Sequence, residues 1–225
     1  LPGGSLKAIL GALLLCFLGF GCARIYRPVA LAPLRPATQA EDLVVSAELQ
    51  PWGDNSRYER KALRANLRVL VLGLENRTAD DLEILGLELP EATSTLTPEE
   101  ALRLVQQQPW AYLLYPLVPT LMIPGGESKG SYGPSDQTVF AAMAVVGLAV
   151  GLPNALIAAR SNRRLGDFFR DHAWAPARLR SGQARRGLLF LRHPDPTRAL
   201  DLQLRCRTAA GEQLLTVTCP GLRPR

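Results

Sequence analysis

The sequence predicts a mainly β chain with a helical insertion: an α+β fold in which an antiparallel β-sandwich of about six or seven strands is interrupted by an apolar helical hairpin. Three observations lead there. Six short segments of strand character fall into two groups of three, within residues 43–89 and 187–219, with turn residues between the members of each group. Between the groups lie two uncharged stretches, residues 109–124 and 139–159. Three strands alone close a core poorly, so the two groups are expected to pair with each other.

Residues 43–49 (LVVSAEL) and 67–75 (LRVLVLGLE) read as strands, and 82–89 (LEILGLEL) alternates almost strictly. Asn76-Arg77-Thr78-Ala79-Asp80 supplies the turn between the last two, and the polar stretch 51–60, with Trp52 and Tyr58, reads as a loop. Thr97-Pro98-Glu99-Glu100 opens a helix: a threonine cap, proline at the first helical position and glutamate three residues beyond the cap. That helix stops before Pro109, and the four prolines of residues 109–124 preclude a continuous helix there.

Residues 125–133 (GGESKGSYG) form the tip of the expected hairpin, and Pro134-Ser135-Asp136 starts its second arm. The uncharged 139–159 segment has the length of a bilayer span. Its Gly147 and Gly151, four apart, suit close helix packing. Pro153 and Asn154 are expected to interrupt it, with a helix resuming over 160–172 and carrying Leu165, Phe168 and Phe169 on one side. Strands at 187–191, 200–206 and 213–219 complete the pattern. The β-domain thus covers residues 43–219 with an insert at about 97–172, too apolar to stand as a domain of its own, and a tail at 220–225.

With 225 residues, 47% hydrophobic and 20% charged, the chain is not a disordered one. Its net charge of +6 comes from 23 arginines and 3 lysines, and the arginines crowd between Arg160 and Arg207. Arg163, Arg164, Arg185 and Arg186 are candidates for contact with anionic lipid or an acidic polymer. Ordinary surface charge explains them as well.

Ahead of the strands, Lys7 precedes an apolar run at residues 10–22 (LGALLLCFLGFGC), the pattern of a secretory signal peptide. Leu18-Gly19-Phe20-Gly21-Cys22 resembles the lipobox of bacterial lipoproteins, with Phe20 where a small residue is usual. The resemblance implies removal of residues 1–21, lipidation of Cys22 on sulfur and a periplasm-facing protein held at the membrane by its acyl chains. Ala23 in place of aspartate after the cysteine favours the outer membrane over the inner. Residues 22–42, with Pro28, Pro33 and Pro36, then read as an extended tether. An uncleaved N-terminal membrane helix is the alternative. Nucleic acid is not an expected partner in that compartment. There Cys206 and Cys219 remain as a candidate disulfide pair. With a turn near Ala210-Gly211, however, Cys206 faces Leu214, and a direct bond needs another register.

The layout also resembles a group of uncharacterised bacterial lipoproteins with an immunoglobulin-like β-sandwich. The likeness rests on Asn76 closing a strand after Leu72-Gly73-Leu74-Glu75, and on the glycine-containing loop at 179–187 that leads into Gly187-Leu188-Leu189-Phe190. It implies a fold and no activity.

No GxSxG, HExxH, phosphate-loop or dinucleotide motif occurs, no cysteine/histidine spacing suits a metal, and no cofactor is expected. His172, with Asp167 and Asp171, is the one acid/base cluster; the two aspartates share a helix face, but His172 lies about 140° from Asp167, so the three do not converge. His193 sits in a turn. Trp110, Tyr112 and Tyr115 suit either a membrane-interface belt or a core. The expected function is therefore non-enzymatic: a structural or binding component whose hairpin meets lipid or an envelope protein partner. A two-pass inner-membrane protein with an arginine-rich cytoplasmic tail is the alternative, and a hydrolase centred on His172 a third reading.

Overall fold

The computed structural model describes residues 22–33, 38–40, 43–91, 93–114, 134–193, 195, 198–209 and 211–219. The expected leader (1–21), Tyr115, the remainder of the hairpin's first arm with its tip (to 133), and the tail (220–225) lie outside them. In chain order the elements are β1 (Thr38–Ala40), β2 (Leu43–Leu49), α1 (Ser56–Arg64), β3 (Leu67–Asn76), β4 (Leu82–Glu88), β5 (Ser94–Thr95), α2 (Pro98–Val105), α3 (Pro109–Leu113), α4 (Pro134–Asp171), β6 (Arg178–Leu179), β7 (Ala184–Arg192), β8 (Leu200–Thr208) and β9 (Gly211–Cys219). The fold is mainly β, of the α+β class. Contacts divide the chain into two compact units, residues 1–26 with 107–163 and residues 27–106 with 164–225. The middle of the insert joins the N-terminal segment in the first of these units.

The strand unit holds two antiparallel sheets, ordered β1-β2-β3-β7-β5 and β6-β4-β8-β9. β3 is apolar on both faces and buried at nearly every position, as a central strand covered on both sides must be. Its Leu70, Leu72 and Leu74 share one buried cluster with Leu189 and Leu191 of β7, Ile84 of β4, Leu202 and Leu204 of β8, and Val217 of β9. β8 and β9 alternate buried and exposed, so only one face of that pair meets the core. On β7, Phe190 packs against Phe169 from the end of α4, the ring centroids 4.7 Å apart and the planes tilted by 52°. Gly187 is required where the chain leaving α4 crosses β7, because an added Cβ would lie 2.8 Å from the Trp174 Cα. Asn76 ends β3 fully buried, its Nδ2 donating to the Asp80 and Leu179 carbonyls and its Oδ1 accepting from the Thr78 N–H.

All six expected strands are present, several of them longer than their apolar cores. Three features differ. The stretch read as a loop becomes α1 from Ser56 onward; this helix buries only Tyr58 and Ala62, too little apolar content to announce a period. Pro153 does not break α4, which runs unbroken for 38 residues. The proline removes the N–H that would bond the Ala149 carbonyl, but both residues are exposed to solvent, and the Asn154 side-chain amide donates to the Val150 carbonyl. The β8–β9 register places Gln213, not Leu214, opposite Cys206, because Gly211 already pairs with Thr208. The helix start at Thr97 has the full reciprocal capping box with Glu100.

In the other unit, α3 packs on α4 through Tyr112, Ala155 and Ala158. Gly151 makes that contact possible, since a Cβ there would come under 3.0 Å from the Tyr112 carbonyl oxygen.

Candidate functional site

Residues 22–33 have no regular secondary structure, yet their backbone is hydrogen-bonded at intervals by buried side-chain amides and one serine hydroxyl. In the helical unit, the Ala23 N–H donates to Asn154 Oδ1 at 2.8 Å and the Tyr26 N–H to Ser161 Oγ at 3.2 Å. Gln107 Oε1 accepts the Arg24 N–H at 3.2 Å while its Nε2 donates to the Arg24 carbonyl at 2.7 Å. Asn162 fixes Gln107 in turn, accepting its backbone N–H and donating to its carbonyl. The Tyr112 hydroxyl donates to Gln107 Oε1. In the strand unit, Asn55 binds both backbone groups of Arg27, and Gln50 binds the Ala32 N–H and the Ala30 carbonyl. Within the expected tether, residues 23–32 are thus strapped down by side chains, and residues 38–40 form strand β1, which pairs with β2.

Cys22 is exposed immediately ahead of this strap. The helix that receives Ala23 buries Gly151, Asn154, Ala155, Ala158 and Ser161 and turns other residues outward. Val145, Leu148, Leu152 and Leu156 are all large, apolar and exposed. Arg160, Arg163 and Arg164 follow them, also exposed. On α3, Tyr112 is buried while Trp110 is exposed; Gly147 is half-buried. Among the described residues no helix is long and apolar enough to cross a membrane.

Arg185 and Arg186 are successive residues of β7 and so point to opposite faces of their sheet, opposite Leu74 and Gly73 of β3. With Arg164 they belong to the strand unit, while Arg163 belongs to the other.

The candidate disulfide does not form. Cys206 lies opposite Gln213 and Cys219 opposite Leu200, six positions apart along β8 and about 20 Å at 3.3 Å per residue. Both thiols are buried and unbridged. Burial pushes the Cys206 thiol up to about 11 and that of Cys219 to about 12, the Arg68 guanidinium acting against the second shift. Nor do the acid/base candidates converge. His172 Nδ1 lies 2.9 Å from the Phe168 carbonyl, Asp167 pairs with Arg170 at 3.4 Å, and Asp171 is exposed. His193 is buried, with Nδ1 accepting the Asp195 N–H at 3.0 Å. Among the described residues no group of three His, Cys, Asp or Glu side chains could hold a metal. A cleft of about 470 Å³ is lined by residues that include Glu88, Glu91, His193, Arg198 and Asp201.

Sequence reasoning missed two features. Arg68 is 1% exposed, with Nη2 donating to the Asp195 and Arg198 carbonyls at 2.5 and 2.6 Å, while Nε and Nη1 have no partner among the described residues. Burial lowers its pKa, with Cys219 and then Asp195 opposing that shift. An arginine in phase with Leu70, Leu72 and Leu74 was the available signal. The strapping amides of Gln50, Asn55 and Gln107 had none, since isolated polar residues in loops look alike.

No protein-family model matches the chain. No curated protein matches it significantly either.

Proposed function

We propose that this chain is a non-enzymatic, periplasm-facing envelope lipoprotein, acylated at Cys22 and acting as a structural or binding component, with the outer membrane favoured over the inner. The observation that carries the reading is the placement of Cys22: its side chain is exposed, while the next residue is already bonded to α4. A lipid on that sulfur would sit on an exposed residue next to one bonded to α4, instead of at the end of a long leash. Several acyl chains hold a protein at a membrane far more firmly than one does. The strand unit, with two antiparallel sheets sharing one buried cluster, supports the finer reading of a β-sandwich of the immunoglobulin-like kind interrupted by a helical insert.

Intact mass and metabolic palmitate labelling of the membrane-extracted protein, wild type beside Cys22→Ser, test this. Label on the wild type, with loss of label and retention of the leader in the variant, is the expected result. An unlabelled, full-length wild-type protein would overturn it in favour of a two-pass membrane protein.

A further inference from the structure

The outward face of α4 changes character along its length. Val145, Leu148, Leu152 and Leu156 are 66, 45, 49 and 57% exposed. At about 100° per residue they fall within an arc of about 80°, and they extend about 16 Å along the axis at 1.5 Å per residue. Five turns beyond Val145, Arg163 returns to the same line, with Arg160 about 60° from it; both are exposed. No Asp or Glu occurs between Asp136 and Asp167. The opposite face is not spare core waiting for cover, since it is filled by α3 and by residues 23–26.

We infer that this face of α4 lies in an anionic lipid leaflet, its leucines among the acyl chains and Arg160 and Arg163 at the head groups. The inference rests on the lipoprotein reading for one point, that Cys22 carries the neighbouring anchor. Ala23 bonds Asn154, which falls between Leu152 and Leu156 along the axis but on the opposite side of the helix, so the anchor lies level with the apolar stripe. An exposed apolar stripe that continues into cations is the form of a helix lying in the interface. A second copy of the chain fits less well, because residues 137–166 of its α4 offer arginines and no carboxylate to meet Arg160 and Arg163. The same cations select anionic lipid over an uncharged surface.

The test is a site-resolved probe on the full chain. In a Cys16→Ser, Cys22→Ser background only the buried Cys206 and Cys219 remain, so Leu156→Cys can be labelled with an environment-sensitive NBD dye. Vesicles of phosphatidylglycerol and phosphatidylcholine are then compared with phosphatidylcholine alone, with and without brominated acyl chains. The expected result is a several-fold rise in emission with anionic vesicles, quenched by bromine, that is lost with Leu148→Glu/Leu152→Glu and much reduced with Arg160→Gln/Arg163→Gln. The arginine pair is exposed and tests the idea with little risk to the fold. A dye that stays in water while the chain floats with vesicles would overturn the inference and leave palmitate labelling, and with it the lipoprotein reading, intact. Equal emission with both vesicle types would overturn the anionic assignment. An emission rise without lipid that grows with protein concentration would overturn it in favour of a second copy. Bromine quenching with anionic vesicles, together with an unlabelled wild type in the palmitate assay, would uphold the leaflet contact and sink the acyl anchor.

Discussion

Gln107 grips Arg24 through both ends of its amide, accepting the Arg24 N–H at 3.2 Å and donating to the Arg24 carbonyl at 2.7 Å. The side chain stands in for a neighbouring β-strand and satisfies a backbone that has no ladder of its own. Asn55 does the same for Arg27 within the strand unit. Such pairs hold residues just after Cys22 alongside the buried Tyr26, and their loss should be felt locally.

Gln107→Ala removes both bonds and one made by the Tyr112 hydroxyl, leaving part-buried polar groups of Arg24 short of a partner. The expected outcome is a total loss of about 2–4 kcal/mol by denaturant titration, with faster hydrogen exchange at the Arg24 amide. Unchanged exchange at Arg24 would show that the amide bridge does not hold the segment.

What the sequence disclosed follows the physics of each signal. Residues 200–206 and 213–219 alternate because one face is solvated, and that alternation can be read. The two- and three-residue strands β1, β5 and β6 are too short to carry a period. Pro153 misled because proline's cost was weighed without the exposure of the Ala149 carbonyl or the amide of Asn154. Gly151 was legible as a small residue for close packing, but the group it admits is the carbonyl of Tyr112. The outward face of α4 was not legible at all: periodicity cannot say which face of an apolar helix is covered, and α3 and residues 23–26 decide that.

Two glycines of α4 should respond differently to alanine. At Gly151 the new methyl meets the backbone oxygen of Tyr112, which cannot swing aside, so α3 must shift at a cost of about 1–3 kcal/mol. At Gly166 the atom in the way is Leu102 Cδ2 at 2.9 Å, the far end of a flexible side chain. Relief there combines with the helix preference for alanine, worth up to about 1 kcal/mol, and Gly166→Ala should be near neutral. Thermal unfolding of the two variants side by side checks the contrast; equal effects would deny the close approach at Gly151.

Arg68 is a buried cation satisfied at only one of its three nitrogens among the described residues. Its removal need not destabilise if volume is kept, because the desolvation cost of the charge disappears with it. Arg68→Met is expected within about 1 kcal/mol of wild type or above it. Arg68→Ala, which leaves a cavity at the end of the core, should lose about 2–5 kcal/mol. A large loss in the methionine variant would assign the guanidinium a structural role beyond filling space.

The buried thiols make alkaline stability depend on two residues. The folded pKa values, raised to about 11 for Cys206 and about 12 for Cys219, lie above the unfolded value near 9. Above pH 9 the unfolded chain therefore binds fewer protons than the folded one, and stability falls as pH rises. The slope is at most about 1.4 kcal/mol per pH unit for each thiol. It should end near pH 11 for Cys206 and near pH 12 for Cys219, while below pH 9 both contributions are fully present. Denaturant titrations at pH 8, 9 and 10 are expected to show the decline in wild type and a shallower one in Cys206→Ala. At pH 8 the two thiols should also resist iodoacetamide until denaturant is added. Rapid alkylation of the folded protein would place these cysteines nearer to solvent than the β8–β9 core allows.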